Sequence, residues 1–122
     1  MCCFCKLKDN EKIINGKLAF VRLDKFPVSN LHSLVIPKRH FESFFDITEE
    51  ELLEINELIN IRKEQILKED KTVMGFNIGI NIGEVAGQSV FHLHVHLIPR
   101  RVGDVENPKG GVRGVIPNKR DY

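Results

Sequence analysis

Residues 88–100 read Gln88-Ser89-Val90-Phe91-His92-Leu93-His94-Val95-His96-Leu97-Ile98-Pro99-Arg100, and the rest of the chain is organised around them. His92, His94 and His96 alternate with Leu93, Val95 and Leu97. A period of two marks a half-buried β-strand, with three imidazoles on one face and three aliphatic side chains in the core. Phe91 and Ile98 extend the apolar run, and Pro99 is expected to end the strand. One imidazole on a strand is ordinary. Three in register are not, because they repel one another when protonated and histidine has no strand preference of its own. A single metal ion does not suit the spacing. Same-face neighbours lie about 6.6 Å apart and the outer pair about 13 Å apart, whereas a Zn–N bond is only about 2.0–2.1 Å long. A division of labour fits better: one histidine tied to metal or structure, one nucleophile, and one that binds charge or moves protons.

Working back from this strand, Val73 to Asn81 reads as another, Phe76, Ile78 and Ile80 alternating with Asn77, Gly79 and Asn81. Gly79 suits close approach of ligand or backbone. Residues 82–87, with two glycines, form a loop, and Gln88 and Ser89 after it offer donors to an anion. Thr48-Glu49-Glu50-Glu51 is a capping box that predicts a helix to about Lys68. Leu52, Ile55, Ile59 and Ile66 form its apolar stripe, broadened by Leu53, Leu58, Ile61 and Leu67. Phe41 to Asp46 suggests one helical turn. Leu31 to Pro37, after a turn at Phe26 to Asn30, is an apolar strand carrying His32. Asn15-Gly16 between apolar flanks predicts a type I′ hairpin whose second strand runs from Leu18 to Leu23. Cys2 and Cys5 form a Cys-x-x-Cys pair with Cys3 inside it. Two such thiolates can share a zinc ion that needs two further ligands, act as a redox pair, or lie inert at a frayed terminus.

The 122 residues are 42% hydrophobic and 29% charged, as in ordinary globular proteins. A net charge of +1 gives no global field for nucleic-acid polymers or an anionic membrane. The local balance is uneven: residues 42–70 hold ten acidic and three basic residues, and residues 99–122 hold six basic and three acidic. These read as solvated faces of each sign. No apolar run approaches the roughly 20 residues of a membrane span, and the N-terminus lacks a signal-peptide pattern. A cytoplasmic location follows, where thiols stay reduced.

The segment His92-Leu93-His94-Val95-His96-Leu97-Ile98 resembles the His-φ-His-φ-His-φ-φ signature (φ apolar) of the histidine triad (HIT) nucleotide hydrolases and transferases. Gly87-Gln88-Ser89-Val90 before it and Pro99-Arg100 after it match as well. The resemblance implies an α+β fold: a HIT-like antiparallel sheet of about five strands with one long helix and a short helix, paired as a homodimer. It also implies the bacterial zinc-binding type, with structural zinc held by Cys2, Cys5, His92 and the His40 of Ile36-Pro37-Lys38-Arg39-His40. Asp24 falls where the family meets the ribose hydroxyls, and Cys3, Phe4 and Leu7 where it packs the nucleobase. His32, Asn81, Gln88 and Ser89 fall around the phosphates. All five histidines of the chain thus occupy family positions. The family usually has glycine before the fourth histidine, whereas this chain has Leu31. Gly110-Gly111-Val112-Arg113-Gly114-Val115-Ile116-Pro117 resembles the C-terminal segment of bacterial members. Within a single domain of residues 1–122, residues 99–122 are therefore expected to pack near the active site.

On this reading the chain hydrolyses a nucleotide conjugate at the α-phosphate. The conjugate is a dinucleoside polyphosphate, such as diadenosine tetraphosphate, or a nucleoside phosphoramidate. His94 attacks phosphorus to give a covalent nucleotidyl-histidine. His96, Ser89 and Gln88 stabilise charge and help protonate the leaving group. Water completes the cycle, or phosphate does, in which case the enzyme is a phosphorylase. Zinc is structural, and Mg²⁺ accompanies a polyphosphate substrate. The resemblance favours purine over pyrimidine. The competing reading is a purine-nucleotide-binding regulatory module with little turnover, and the intact His94, His96 and Ser89 count against it.

Overall fold

The computed structural model describes residues 2–122. Five antiparallel strands run in the order β1-β2-β3-β5-β4: β1 Ile14–Asn15, β2 Ala19–Leu23, β3 Ser33–Pro37, β4 Val73–Gly79 and β5 Val95–Arg101. One helix, α1 (Glu49–Glu69), lies against β2 and β3, and a short 3-10 turn at Phe44–Asp46 precedes it. The α+β architecture expected from the sequence is the one observed. Thr48 and Glu51 form the capping box, each side chain taking the other's backbone N–H. No helix among the described residues is long and apolar enough to cross a membrane.

The triad strand sits between β3 and β4, so its position is set from both sides. His96 pairs with Leu34 on β3 and with Gly79 on β4. Leu93, Val95 and Leu97 are buried as the alternation requires, and Val95 packs with Val21, Val35, Ile55 and Leu58 between sheet and helix. Each such aliphatic side chain contributes about 1.5–3 kcal/mol by leaving water.

The strand boundaries differ from expectation in ways that have physical causes. β5 begins only at Val95, and it runs through Pro99 to Arg101. Pairing with β3 stops at Leu97, so Pro99 meets no β3 ladder partner for the N–H it lacks. Its carbonyl is instead taken by the Ser29 hydroxyl at 2.8 Å. His92 lies before the strand in a bend and is fully buried, so it does not share the open face of His94 and His96. β4 ends at Gly79, two residues short of Asn81, and His32 lies just before β3.

The hairpin forms, but not through a type I′ turn, because Asn15 and Gly16 both lack positive φ. Gly16 N–H donates to Ala19 O, leaving Lys17 and Leu18 as the loop. The Glu54 carboxylate of α1 accepts the Leu18 and Ala19 N–H groups at 2.5 and 2.6 Å. A Cβ on Gly16 would lie 2.7 Å from the Ala19 carbonyl oxygen and 2.8 Å from that carboxylate, so close approach demands the glycine here. The buried face of α1 is also narrower than the apolar stripe. It consists of Glu51, Ile55, Leu58, Arg62 and Ile66, while Leu52, Leu53 and Ile61 stay exposed. Arg39 pairs with Glu51 through two nitrogens, and Arg62 donates to the Ser33 hydroxyl, so both buried charged side chains are bonded. Arg39 is thereby tied to the helix.

Candidate active site

Two residues apart, His92 and His94 are tethered by opposite ring nitrogens. His92 Nε2–H donates to the Pro37 carbonyl at 2.7 Å, which leaves its Nδ1 as a lone-pair donor. That nitrogen lies 3.5 Å from each of the Cys2 and Cys5 sulfurs and 3.1 Å from His40 Nδ1, and His40 Nδ1 lies 3.3 Å from Cys5 Sγ. A tetrahedral zinc ion sets its ligands about 3.3 Å apart for two nitrogens and about 3.5 Å for nitrogen and sulfur, from the usual bond lengths. The four residues fit zinc in number, donor type and spacing, and all four ligand atoms lie within 4.8 Å of one another. The ion would tie the N-terminal segment to the start of the triad. It would take no part in bond-making, since four protein ligands close a structural site.

His94 Nδ1–H donates to the His92 carbonyl at 2.8 Å, so its Nε2 carries the lone pair. The ring is half-buried and lines a cleft of about 620 Å³ with His96, Ser89, Asn81, Asp24 and Phe4. Phe4 meets the His94 ring edge-on, 5.2 Å between centroids. Leu7 and Leu34 line the same cleft and pack together with Phe4 against Phe20 and Ile36. Among the described residues, neither the N–H nor the hydroxyl of Ser89 has a hydrogen-bond partner.

His96 belongs to a chain of hydrogen bonds. Val28 N–H donates to His32 Nδ1 at 3.1 Å, which places the His32 proton on Nε2. That N–H donates to His96 Nδ1 at 2.9 Å, so His96 keeps its own proton on Nε2. Asp24 Oδ2 lies 3.4 Å from His32 Nε2 and 3.9 Å from His96 Nδ1. The other carboxylate oxygen accepts Phe26 N–H at 2.9 Å. Burial, followed by the neighbouring His94 and His32, pushes His96 down to about 4, against the pull of Asp24. Burial also lowers His32.

The expected site residues are thus brought together, with one exception. The Gln88 side chain is buried and turned away from the cleft. Its carbonyl oxygen accepts Gly83 N–H, and its amide nitrogen donates to the Glu42 and Val90 carbonyls. These contacts tie its side chain to the loop. Leu31 takes φ 73°, the left-handed conformation for which glycine is usual. From the C-terminal segment, Gly111, Val112 and Val115 line a cleft that His96 also lines. Reading the sequence did not identify Asn77, Arg100 and Asp104 in that wall, because no local motif marks residues that meet only through the fold.

A HIT domain family model matches residues 6–103. The chain is 39% identical to an uncharacterised HIT-like protein of Methanocaldococcus jannaschii, over 91% of this chain and 88% of that protein. It is 36% identical to the AP-4-A phosphorylase of Mycobacterium tuberculosis, over 81% of this chain but only 52% of that protein. The solved structure of a Zn-bound histidine triad family protein from Mycobacterium smegmatis aligns with a TM-score of 0.77 at 31% identity, covering 87% of this chain and 79% of that one. The chain therefore belongs to the HIT family of nucleotidyl hydrolases and transferases.

Proposed function

We propose that this enzyme hydrolyses nucleotide conjugates at the α-phosphorus through a nucleotidyl-His94 intermediate. The tether of His94 Nδ1–H to the His92 carbonyl carries the proposal, because it leaves Nε2 unprotonated and facing the cleft. Nε2 forms a bond to phosphorus as the bond to the leaving group breaks. The ring becomes an imidazolium, and the carbonyl at Nδ1–H stabilises its charge. The Ser89 N–H and hydroxyl and the Asn81 amide are placed to meet the non-bridging oxygens.

His96 serves the leaving group. A bound phosphate anion raises its affinity for a second proton, which is taken from solvent. Asp24 Oδ2, close to both His32 and His96, accepts the extra N–H. The imidazolium then protonates the leaving atom, and the neutral ring takes a proton from the attacking water as the N–P bond breaks. Conjugate and water give nucleotide and protonated leaving group. Purine packs between Phe4, Leu7 and Leu34, and the remaining acceptor sites of Asp24 meet the ribose hydroxyls. Any Mg²⁺ arrives with a polyphosphate rather than on protein ligands. Phosphate in place of water would make the enzyme a phosphorylase, a reading favoured by its likeness to the mycobacterial phosphorylase. A homodimer, paired along the β4 edge where Met74 and Ile78 are exposed, completes the proposal.

Rapid-quench intact mass with diadenosine tetraphosphate and with an adenosine phosphoramidate tests it. A transient adenylyl adduct is expected on the wild type and not on His94→Ala. Product without adduct in both proteins would discard the covalent route.

A further inference from the structure

Residues 2–7 divide their side chains between two sites. Cys2 and Cys5 belong to the zinc corner. Cys3, Phe4, Lys6 and Leu7 line the cleft that holds His94. A turn closed by Cys5 N–H on the Cys2 carbonyl at 3.1 Å sets the two sulfurs, and the Phe4 N–H between them donates to Cys2 Sγ at 3.3 Å. The Phe4 ring meets His92 and His94 edge-on, with centroids 5.9 and 5.2 Å away. Outside the corner, no hydrogen bond among the described residues joins residues 2–7 to the rest of the chain. Their other anchor is the packing of Phe4 and Leu7 against Phe20, Leu34 and Ile36.

We propose that residues 2–7 couple the two sites, so that zinc and a purine nucleotide each bind more tightly when the other is present. The inference rests on the reading of the cleft as a nucleoside site. Ordering a short terminal segment carries an entropic cost for every residue fixed. A metal on Cys2 and Cys5 and a base packed on Phe4 and Leu7 both hold the same six residues in place. Whichever binds first bears the ordering cost, and the second meets a segment already ordered. Phe4 lies between the two thiols in sequence and is bonded to one of them, so displacing either sulfur moves the ring that lies against His94. Linkage makes the effect reciprocal: the factor by which the nucleotide tightens zinc is the factor by which zinc tightens the nucleotide. Zinc occupancy thereby controls substrate affinity, a separate effect from the tautomer that the His92 carbonyl fixes.

Zinc affinity of the whole protein, measured by competition with a chromophoric chelator, tests this without turnover. The probes are AMP and ribose 5-phosphate, matched in phosphate and differing in the base. Saturating AMP is expected to tighten zinc at least about fivefold, the lower end of coupling between sites, and ribose 5-phosphate to leave it unchanged. Phe4→Ala, or Phe4→Leu if the first variant does not fold, should bring the AMP factor towards one. Unchanged zinc affinity while calorimetry shows AMP bound would overturn the proposal. So would an equal shift with ribose 5-phosphate, which would route the coupling through His94 and the His92 carbonyl, or a full shift retained without the Phe4 ring. Failure of AMP to bind the zinc-loaded protein at all would instead discard the nucleoside reading, and this inference with it.

Discussion

His92 and His94 are neighbours on one face of the sequence pattern and opposites in the fold. His92 is buried, held through Nε2 and aimed by Nδ1 at two thiols and His40. His94 is half-exposed, held through Nδ1 and aimed by Nε2 at a cleft. A carbonyl acceptor decides each tautomer, and the second of those carbonyls belongs to His92 itself. The corner that fits zinc therefore holds the carbonyl that fixes the His94 tautomer. Three identical side chains meet three different sets of partners, set by which nitrogen is occupied.

His94→Ala is the largest test of that contrast. Turnover of an adenosine phosphoramidate should fall on the order of 10⁴-fold or more, the scale of removing a nucleophile, with the melting temperature nearly unchanged. A fall of less than about tenfold would make His94 no different in kind from its neighbours.

Removing the corner should cost less activity and more stability. Chelation, or Cys5→Ser, should abolish zinc binding as measured by elemental analysis. At free zinc about a thousandfold above Kd the loss is about 4 kcal/mol, which for a chain of this size is roughly 15 °C in Tm. Activity should drop about 10–100-fold, as when a supporting contact is lost, because the His92 carbonyl loses its anchor. Full activity in the metal-free protein would show that corner and cleft are independent.

The apolar alternation of residues 93–97 and the capping box at Thr48 were legible because each is a local pattern with a short period. The hairpin was legible as a reversal but not in its chemistry. A Cβ at Gly16 would meet Ala19 O at 2.7 Å inside the turn and also the Glu54 carboxylate at 2.8 Å, 38 residues away, and no turn rule contains that carboxylate. The surroundings of Gln88 were hidden for a related reason. An amide beside a serine and three histidines has the right donors for an anion, yet the fold closes its hydrogen bonds on Gly83, Glu42 and Val90. The pairing of Arg39 with Glu51 and the neutralisation of Arg100 by Asp104 likewise depend on three-dimensional neighbours. Family resemblance supplied the four zinc-corner residues as a set, and the fold brings all four together.

A smaller effect separates the two histidine environments by pH. His96 sits at about 4 and His32 is also lowered, against 6.5 for an unperturbed ring. Between about 6.5 and 4 the unfolded chain takes up protons that the folded chain refuses, so stability falls as pH drops through that window. Urea midpoints of the zinc-loaded protein at pH 7, 5.5 and 4.5 should decline, and His96→Gln should flatten the decline. Parallel curves for the two proteins would remove His96 as the cause.

The smallest expected effect is at Leu31, the support beneath His32. A left-handed conformation costs a residue with a Cβ about 1–2 kcal/mol. The chain tolerates this because the side chain packs against Ile66, Val73 and Leu97, and the carbonyl accepts the Ser33 hydroxyl that Arg62 also holds. Leu31→Ala keeps the strain and loses the packing, whereas Leu31→Gly loses both. Glycine's greater freedom in the unfolded chain offsets only about 0.4–1 kcal/mol of the relief. Leu31→Gly should therefore be the more stable variant by roughly 0.5–1 kcal/mol, reversing the usual order of alanine and glycine. If alanine proves better, the turn has relaxed to negative φ, and with it the bond from His32 to His96. A shift of the His96 proton resonances in that variant would then show the cleft, but not the zinc corner, responding to the change.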